Sequence, residues 1–146
     1  MRRAGPADAE AIKALTRLAY SKWVPLIGRE PKPMVADYDR AVREHLIDLW
    51  EENGKLIAMV EMVPGDGHML VLNLATHHDH QGRGLGGKLL AHAEATARGM
   101  KLPEMQLYTN AAFAANISFY ETRGYKVFRR EPIAGGTVVW MKKVLG

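Results

Sequence analysis

The sequence contains no cysteine, and this absence excludes several kinds of chemistry. None of its 146 residues offers a thiol that could form a disulfide bond, ligate zinc or attack a substrate. Hydrophobic residues make up 47% of the chain, which argues against a disordered protein. Since one domain commonly has about 100 to 200 residues, we expect residues 1–146 to form a single domain.

Long apolar runs are also missing. Uninterrupted apolar stretches such as 69–72 are far shorter than the roughly 20 residues of a membrane-spanning helix. The segment after Met1 lacks the apolar core that is typical of a secretory signal. We therefore expect a cytoplasmic protein that has no membrane partner.

Basic residues exceed acidic ones without forming long runs. The 20 Lys and Arg residues against 16 Asp and Glu give a formal charge of +4, which suits either nucleic acid or a phosphorylated small molecule. The longest basic runs are pairs such as Arg129-Arg130, and no basic stretch is interleaved with aromatic residues. A small nucleic-acid-binding protein is therefore the weakest alternative, and we expect no nucleic-acid partner.

Hydrophobic periodicity and turn residues predict alternating helices and strands. Asn53-Gly54 is typical of a type I′ hairpin turn, while Gly99 and Gly124 stand where glycine commonly ends a helix. Three prolines and Gly28 indicate an ordered but irregular loop over 24–33. The predicted elements are a short opening strand, helices from Pro6 to about Tyr20 and over 37–46, strands over 46–52, 55–63 and 68–76, a helix over 85–99, a strand over 105–109, a helix over 111–123 capped by Asn110, and strands over 125–129 and 137–143. This order favours an α/β (α+β) fold with a mixed, mostly antiparallel central sheet flanked by about four helices.

A glycine-rich turn, Gln81-Gly82-Arg83-Gly84-Leu85-Gly86-Gly87, lies between a predicted strand and the longest predicted helix. Glycines allow close approach of a ligand to the backbone, and the start of a helix presents unpaired amides and the positive end of its dipole. Arg83 and Lys88 can add positive charge. The turn therefore predicts an anion cradle, with a plain connecting turn as the alternative.

The same glycines match the dinucleotide pattern G-x-G-x-x-G, but the context differs. That motif follows the first strand of a parallel sheet, whereas here it follows a predicted antiparallel hairpin past the middle of the chain.

Two motifs within residues 55–130, the turn from Gln81 to Gly87 and the stretch from Tyr120 to Tyr125, resemble those of the GCN5-related N-acetyltransferase (GNAT) family. The family's acetyl-CoA motif, Q/R-x-x-G-x-G/A, has its fixed positions at Gln81, Gly84 and Gly86. The family's later Y-x-x-x-G-F/Y pattern is similar to the stretch from Tyr120 to Tyr125. This resemblance implies a single GNAT-like domain over 1–146 that transfers an acetyl group from acetyl-CoA to a primary amine.

The resemblance also implies where acetyl-CoA would bind. Backbone groups of Leu74, Ala75 and Thr76 would pair with the pantetheine arm. Amides of Gly82, Arg83, Gly84, Leu85, Gly86 and Gly87 would hold the pyrophosphate, and Gln81 of the same motif is a further cofactor-binding candidate. Family members often carry an asparagine seven residues before the tyrosine, where this chain has Phe113, so Asn116 and Asn110 are both candidates for the cofactor-contacting amide.

Two side chains are the candidates for catalysis. The resemblance implies that the Tyr120 hydroxyl lies near the sulfur of the cofactor and protonates the departing thiolate, with a core aromatic as the alternative. A backbone N–H within 72–76 could stabilise the oxyanion. The family often has a glutamate base on a neighbouring strand, where this chain offers Asn73 and Tyr108. Glu61 is the nearest strand acid and our candidate base, with a solvated surface residue and a water relay as alternatives.

Three histidines and an aspartate within 77–80 raise the question of a metal site. Consecutive loop residues do not readily converge on one ion, so we expect no metal. The acceptor amine is expected to meet the loop around Trp23 and Tyr38, with Glu30, Asp37 and Asp39 able to attract a cation.

Partners and assembly are less defined by the sequence. The acceptor can be a small molecule or a peptide amine, the acyl group can be longer than acetyl, and a homodimer is one expected state because many relatives of this fold are dimers. A noncatalytic CoA-binding module on the same fold is the alternative function.

Overall fold

A computed structural model describes residues 1–146, except for the side chain of His78. Seven strands form one sheet in the order β1-β2-β3-β4-β5-β7-β6. All neighbouring strands are antiparallel except β4 and β5, which are parallel. The strands are β1 (Arg2–Arg3), β2 (Leu46–Glu52), β3 (Lys55–Pro64), β4 (Met69–Thr76), β5 (Glu104–Asn110), β6 (Lys126–Ile133) and β7 (Gly136–Val144).

Helices cover both faces of the sheet. They are α1 (Ala9–Tyr20), α2 (Val24–Ile27), α3 (Lys32–Val35), α4 (Tyr38–Glu44), α5 (Leu85–Gly99) and α6 (Ala114–Glu121), with 3₁₀ turns at Pro6–Asp8, Ser21–Trp23 and His78–His80. The predicted α+β class, the mixed sheet and the order of the main elements are confirmed. The predicted hairpin turn is confirmed too, because Asn53 and Gly54 have φ values of 53° and 77°.

Two local predictions were wrong. The segment 24–33 is more regular than expected: Pro25 lies in the first turn of α2, and Gly28, with φ of 71°, ends that helix in the left-handed conformation. Helix α6 begins later than expected, at Ala114, because Asn110 ends β5. The Asn110 Oδ1 accepts a hydrogen bond from the backbone N–H of Ala112, so it caps the turn before the helix.

The apolar core lies on both faces of the sheet. Helix α5 packs Leu89, Leu90 and Ala93 against strand residues that include Val60 and Leu107. On the opposite face, α1 and α4 cover the middle of β2 and β3 with residues that include Ile12, Leu15 and Ala41. Across the part of the chain that the structure describes, no helix is both long and apolar enough to span a membrane.

Candidate functional site

The sheet splits between β4 and β5. These strands pair only from Met69 with Met105 to Val71 with Leu107, although they continue to Thr76 and Asn110. A bulge at Leu72 marks the separation, because β3 pairs with β4 on both sides of that residue and passes over it. The edge of β4 after Val71 therefore faces an opening rather than a neighbouring strand.

Side chains from elsewhere in the chain reach the backbone at this open edge. The Tyr20 hydroxyl donates to the carbonyl of Leu74 at 3.2 Å. The Gln81 Nε2 donates to the carbonyl of Thr76, also at 3.2 Å. The sequence-predicted stretch 74–76 thus lies beside the opening, where an extended ligand could add to the sheet as a strand does.

The glycine-rich turn leads directly from this region into α5. Gly82 and Gly84 have φ values of 87° and 76°, which favour glycine, and Gly84 is the N-cap of the helix. The first backbone N–H groups of the helix, at Leu85, Gly86 and Gly87, have no intrahelical acceptor by geometry. The geometry of the turn and the helix start suits an anion, and anion binding at this turn stays a prediction.

Gly86 and Gly87 have a second role, in packing. A Cβ atom at Gly86 would lie 3.3 Å from the Phe119 ring, and one at Gly87 would lie 3.1 Å from Nη2 of Arg123. Both neighbours lie at the end of α6 or just after it, so these two glycines allow α5 and α6 to approach closely. The sequence pattern alone assigned all the glycines to the anion cradle.

The side chain of Arg83 is held by an ion pair. Its Nη2 lies 2.9 Å from Oε1 of Glu52, and its Nη1 is 2.5 Å from Nδ1 of His80. The hydrogen bond from Arg83 lowers the pKa of the Glu52 carboxyl. The positive charge that the sequence assigned to the cradle is thus partly balanced by a strand residue 31 positions away.

A cavity of about 760 Å³ lies where β4 and β5 separate. Polar and aromatic side chains line it from the strands and from helical segments on both faces of the sheet. From the strands these are Glu61, Asn73, Tyr108, Asn110 and Trp140, and from the helical segments Tyr20, Tyr38, His45, Phe113, Asn116 and Tyr120. Both catalytic candidates from the sequence, Glu61 and Tyr120, therefore share one cavity.

Glu61 is buried rather than solvated. It is only 3% exposed, and its Oε2 accepts a hydrogen bond from Nδ1 of His45 at 2.6 Å. The alternative that Glu61 is a solvated surface residue was therefore wrong. Sequence reasoning missed His45, which lies at the junction of α4 and β2, 16 positions from its partner and outside any motif.

The Tyr120 side chain is partly buried and lines the cavity. Its ring contacts those of Phe119 and Tyr125, with centroid distances of 5.2 Å and 5.9 Å. Burial raises the pKa of the Tyr120 hydroxyl to about 12. The hydroxyl thus keeps its proton at neutral pH, as a general acid must.

Phe113 stands where relatives often have an asparagine, and it has a packing role. It is 6% exposed and stacks on Trp23 with a centroid distance of 4.3 Å. Asn116 and Asn110 both line the cavity, so both stay candidates for the amide that contacts the cofactor. Asn110 is already engaged by Ala112, which favours Asn116.

Of the residues predicted to meet the acceptor amine, some line the cavity and others have structural contacts elsewhere. Tyr38 lines the cavity and is 3% exposed, whereas Trp23 anchors the loop through Phe113. Asp37 accepts a hydrogen bond from the backbone of Arg40, and Glu30 forms an ion pair with Arg17. Both acids therefore have structural partners.

The histidine-rich turn has partners of its own. The backbone N–H of Asp79 donates to Nδ1 of His77, and His80 contacts Arg83. The His78 side chain lies outside the described residues. Among the side chains that are described, no group of three or more could hold a metal ion.

Comparison with known proteins identifies the family. The model of the acetyltransferase (GNAT) family matches residues 12–125. The chain belongs to this GNAT family. No curated protein sequence matches the chain significantly.

Solved GNAT structures share this fold at low sequence identity. An IAA acetyltransferase from Bacillus cereus is 20% identical, with a TM-score of 0.76, and the match covers 99% of this chain and 97% of that one. The PaiA N-acetyltransferase from Thermoplasma acidophilum, in complex with coenzyme A, is 18% identical with a TM-score of 0.79 over 99% and 97% of the two chains. The ribosomal-protein-S18-alanine N-acetyltransferase from Escherichia coli is 19% identical with a TM-score of 0.76 over 99% and 92%.

Proposed function

We propose that this GNAT protein is an N-acetyltransferase that acetylates a primary amine with acetyl-CoA as the donor. The observation that carries the proposal is the open edge of β4, which lies between the amides at the start of α5 and a cavity that contains a buried carboxylate. The open edge of β4 and the start of α5 suit an extended ligand that carries phosphates. The cavity with its buried carboxylate suits a cationic amine. A solved relative holds coenzyme A, which is consistent with this division.

The proposed donor site uses backbone groups more than side chains. The open edge at 74–76 would accept the pantetheine arm, and amides of the turn 81–87 would hold the pyrophosphate. Asn116 on α6 would add a side-chain hydrogen bond. A backbone N–H of β4 within 72–76 would stabilise the oxyanion that forms during transfer.

Two side chains of the cavity would move the protons. Bound acetyl-CoA supplies an acetyl thioester, and the amine must lose a proton before it can attack the carbonyl carbon. Because Oε2 of Glu61 accepts from His45, the other oxygen, Oε1, would take that proton. As the C–N bond forms and the C–S bond breaks, the Tyr120 hydroxyl would protonate the thiolate and regain a proton from the nitrogen.

Binding and turnover test this proposal separately. We expect acetyl-CoA to bind in calorimetric titrations of the purified protein, whereas NADH and ATP bind far more weakly. Thiol release should then depend on an added amine and fall strongly in Glu61→Gln and in Tyr120→Phe. Tight binding of a dinucleotide instead would refute the donor site, and binding of acetyl-CoA without amine-dependent turnover would favour a noncatalytic CoA-binding module. The cytoplasmic location and the homodimer stay predictions of the sequence.

A further inference from the structure

Asn73 lies at the point where the sheet opens, and its amide is held in one orientation. The residue is 3% exposed and lines the cavity from β4. Its Nδ2 donates to the Tyr38 hydroxyl at 2.9 Å, and that hydroxyl donates to the carbonyl of Pro33 at 2.5 Å. Because the proton of Tyr38 is used on Pro33, the hydroxyl must accept from Asn73, and this fixes which end of the amide is Nδ2.

The other end of the amide has no hydrogen-bond partner. Among the described side chains, the Oδ1 of Asn73 is the one buried oxygen without a donor. Such an unpaired acceptor costs free energy on folding, and most buried polar atoms are paired. Because Asn73 lines the cavity, a ligand in the cavity is a candidate source of the missing donor.

Asn73 is also the direct neighbour of Glu61. The two residues are paired in the ladder between β3 and β4, so their side chains lie on the same face with Cβ atoms about 4.5 to 5.5 Å apart. An amide and a carboxylate, each with an oxygen acceptor, therefore occupy neighbouring positions on one face of the sheet. Their natural complement is a nitrogen that carries at least two hydrogens and a positive charge, such as a primary ammonium group.

We propose that Asn73 Oδ1 binds the acceptor nitrogen next to Glu61 and orients it toward the opening of the sheet. This inference rests on the proposed function. The ammonium group would give one proton to the Glu61 carboxylate, which acts as the base. A second N–H of the same nitrogen would stay hydrogen-bonded to Oδ1 of Asn73. The nitrogen lone pair is then held in one direction, and the alignment improves attack on the thioester.

Two matched substitutions of asparagine by leucine test this role. Asn73→Leu removes the acceptor and keeps the branched shape of the side chain with added bulk, and we expect the KM for the amine to rise at least tenfold while the affinity for acetyl-CoA changes less than twofold. Asn116→Leu, in the same cavity, should instead weaken acetyl-CoA binding more than it raises the KM for the amine. Because Asn73→Leu removes the hydrogen bond from Nδ2 to the Tyr38 hydroxyl together with the orphaned oxygen, the amine KM decides the test rather than the melting temperature. A purely structural role for Asn73 would leave the amine KM unchanged, whatever the change in melting temperature.

The assay measures thiol release with 2-phenylethylamine, which suits the aromatic lining of the cavity, and in parallel with spermidine, lysine and the peptide Ala-Gly-Phe. If the wild type releases thiol with none of these amines, the proposed function fails, and this inference fails with it. If the wild type is active and Asn73→Leu keeps the wild-type amine KM, only this inference fails. Should the leucine variant not fold, Asn73→Ala removes the same oxygen without adding bulk and must raise the amine KM in the same way.

Discussion

Replacing His45 by leucine should lower both the stability and the rate of the enzyme. The Glu61 side chain is 4% exposed and that of His45 is 26% exposed, with 2.6 Å between Nδ1 and Oε2. A hydrogen bond to a charged group contributes about 1.5 to 3 kcal/mol, and the lower end applies here because water can reach His45. We therefore expect the free energy of unfolding to fall by about 1.5 to 2 kcal/mol.

The effect on the rate follows from the same interaction. If the hydrogen bond orients Glu61 toward the amine, its loss from the transition state lowers kcat/KM by about ten- to thirtyfold, at about 1.4 kcal/mol for each factor of ten. Urea denaturation measures the change in stability, and thiol release with a saturating concentration of acetyl-CoA measures the change in kcat/KM for the amine.

His92 provides a matched control on the opposite face of the sheet. Its Nε2 lies 2.6 Å from Oδ2 of Asp48, which is 4% exposed, and Asp48 also accepts from Arg3 at 2.5 Å. His92→Leu should therefore cost less stability than His45→Leu and leave kcat/KM unchanged. The reasoning is refuted if His45→Leu loses the expected stability but keeps kcat/KM within twofold of wild type, or if both variants lose activity equally.

Further predictions concern the proposed anion cradle, the proposed general acid Tyr120 and the N-terminus. Gly84→Glu forces a side chain into a left-handed backbone with φ of 76° and adds a negative charge beside the helix start, so calorimetry should show acetyl-CoA affinity reduced by about tenfold or more. Tyr120→Phe should lower kcat by about a hundredfold. Since burial raises the pKa of Tyr120 to about 12, the wild-type kcat should not fall between about pH 8 and 10 through loss of that proton. Hydrogen bonds from the Arg2 side chain and the Gly5 backbone lower the pKa of Asp8 from 3.8. Because this pKa is lower in the folded protein, the ionised Asp8 carboxylate stabilises the fold above pH 3.8. That stabilisation is lost as the pH falls through the lowered pKa of Asp8 in the folded protein. The melting temperature of Asp8→Asn should thus lie below that of wild type at neutral pH and converge with it in acid.

Local backbone preferences explain why much of the fold could be predicted. Asn53-Gly54 tolerates the positive φ values of a type I′ turn, and Gly84, with φ of 76°, is the N-cap of α5. Gly99 is instead the last helical residue of α5, and the left-handed φ of 61° beyond the helix belongs to Lys101. These preferences act within a few residues, so they are readable without the rest of the chain. The start of α6 was mispredicted because Asn110 could cap either a helix or a turn, and its place at the end of β5 selected the turn.

By itself, the sequence determined the order of the main elements, and it predicted a candidate anion cradle at 81–87 and two catalytic candidates, Glu61 and Tyr120. Only the tertiary structure decided that Glu61 is buried against His45, that Asn73 is held by Tyr38 from 35 positions away, and that β4 and β5 separate after Val71. The physical reason is that turns and helix ends depend on local sterics, whereas burial and pairing depend on which segments the packed sheet brings together. The sequence therefore names candidate residues of the site, whereas only the fold shows how their hydrogen-bond donors and acceptors are arranged.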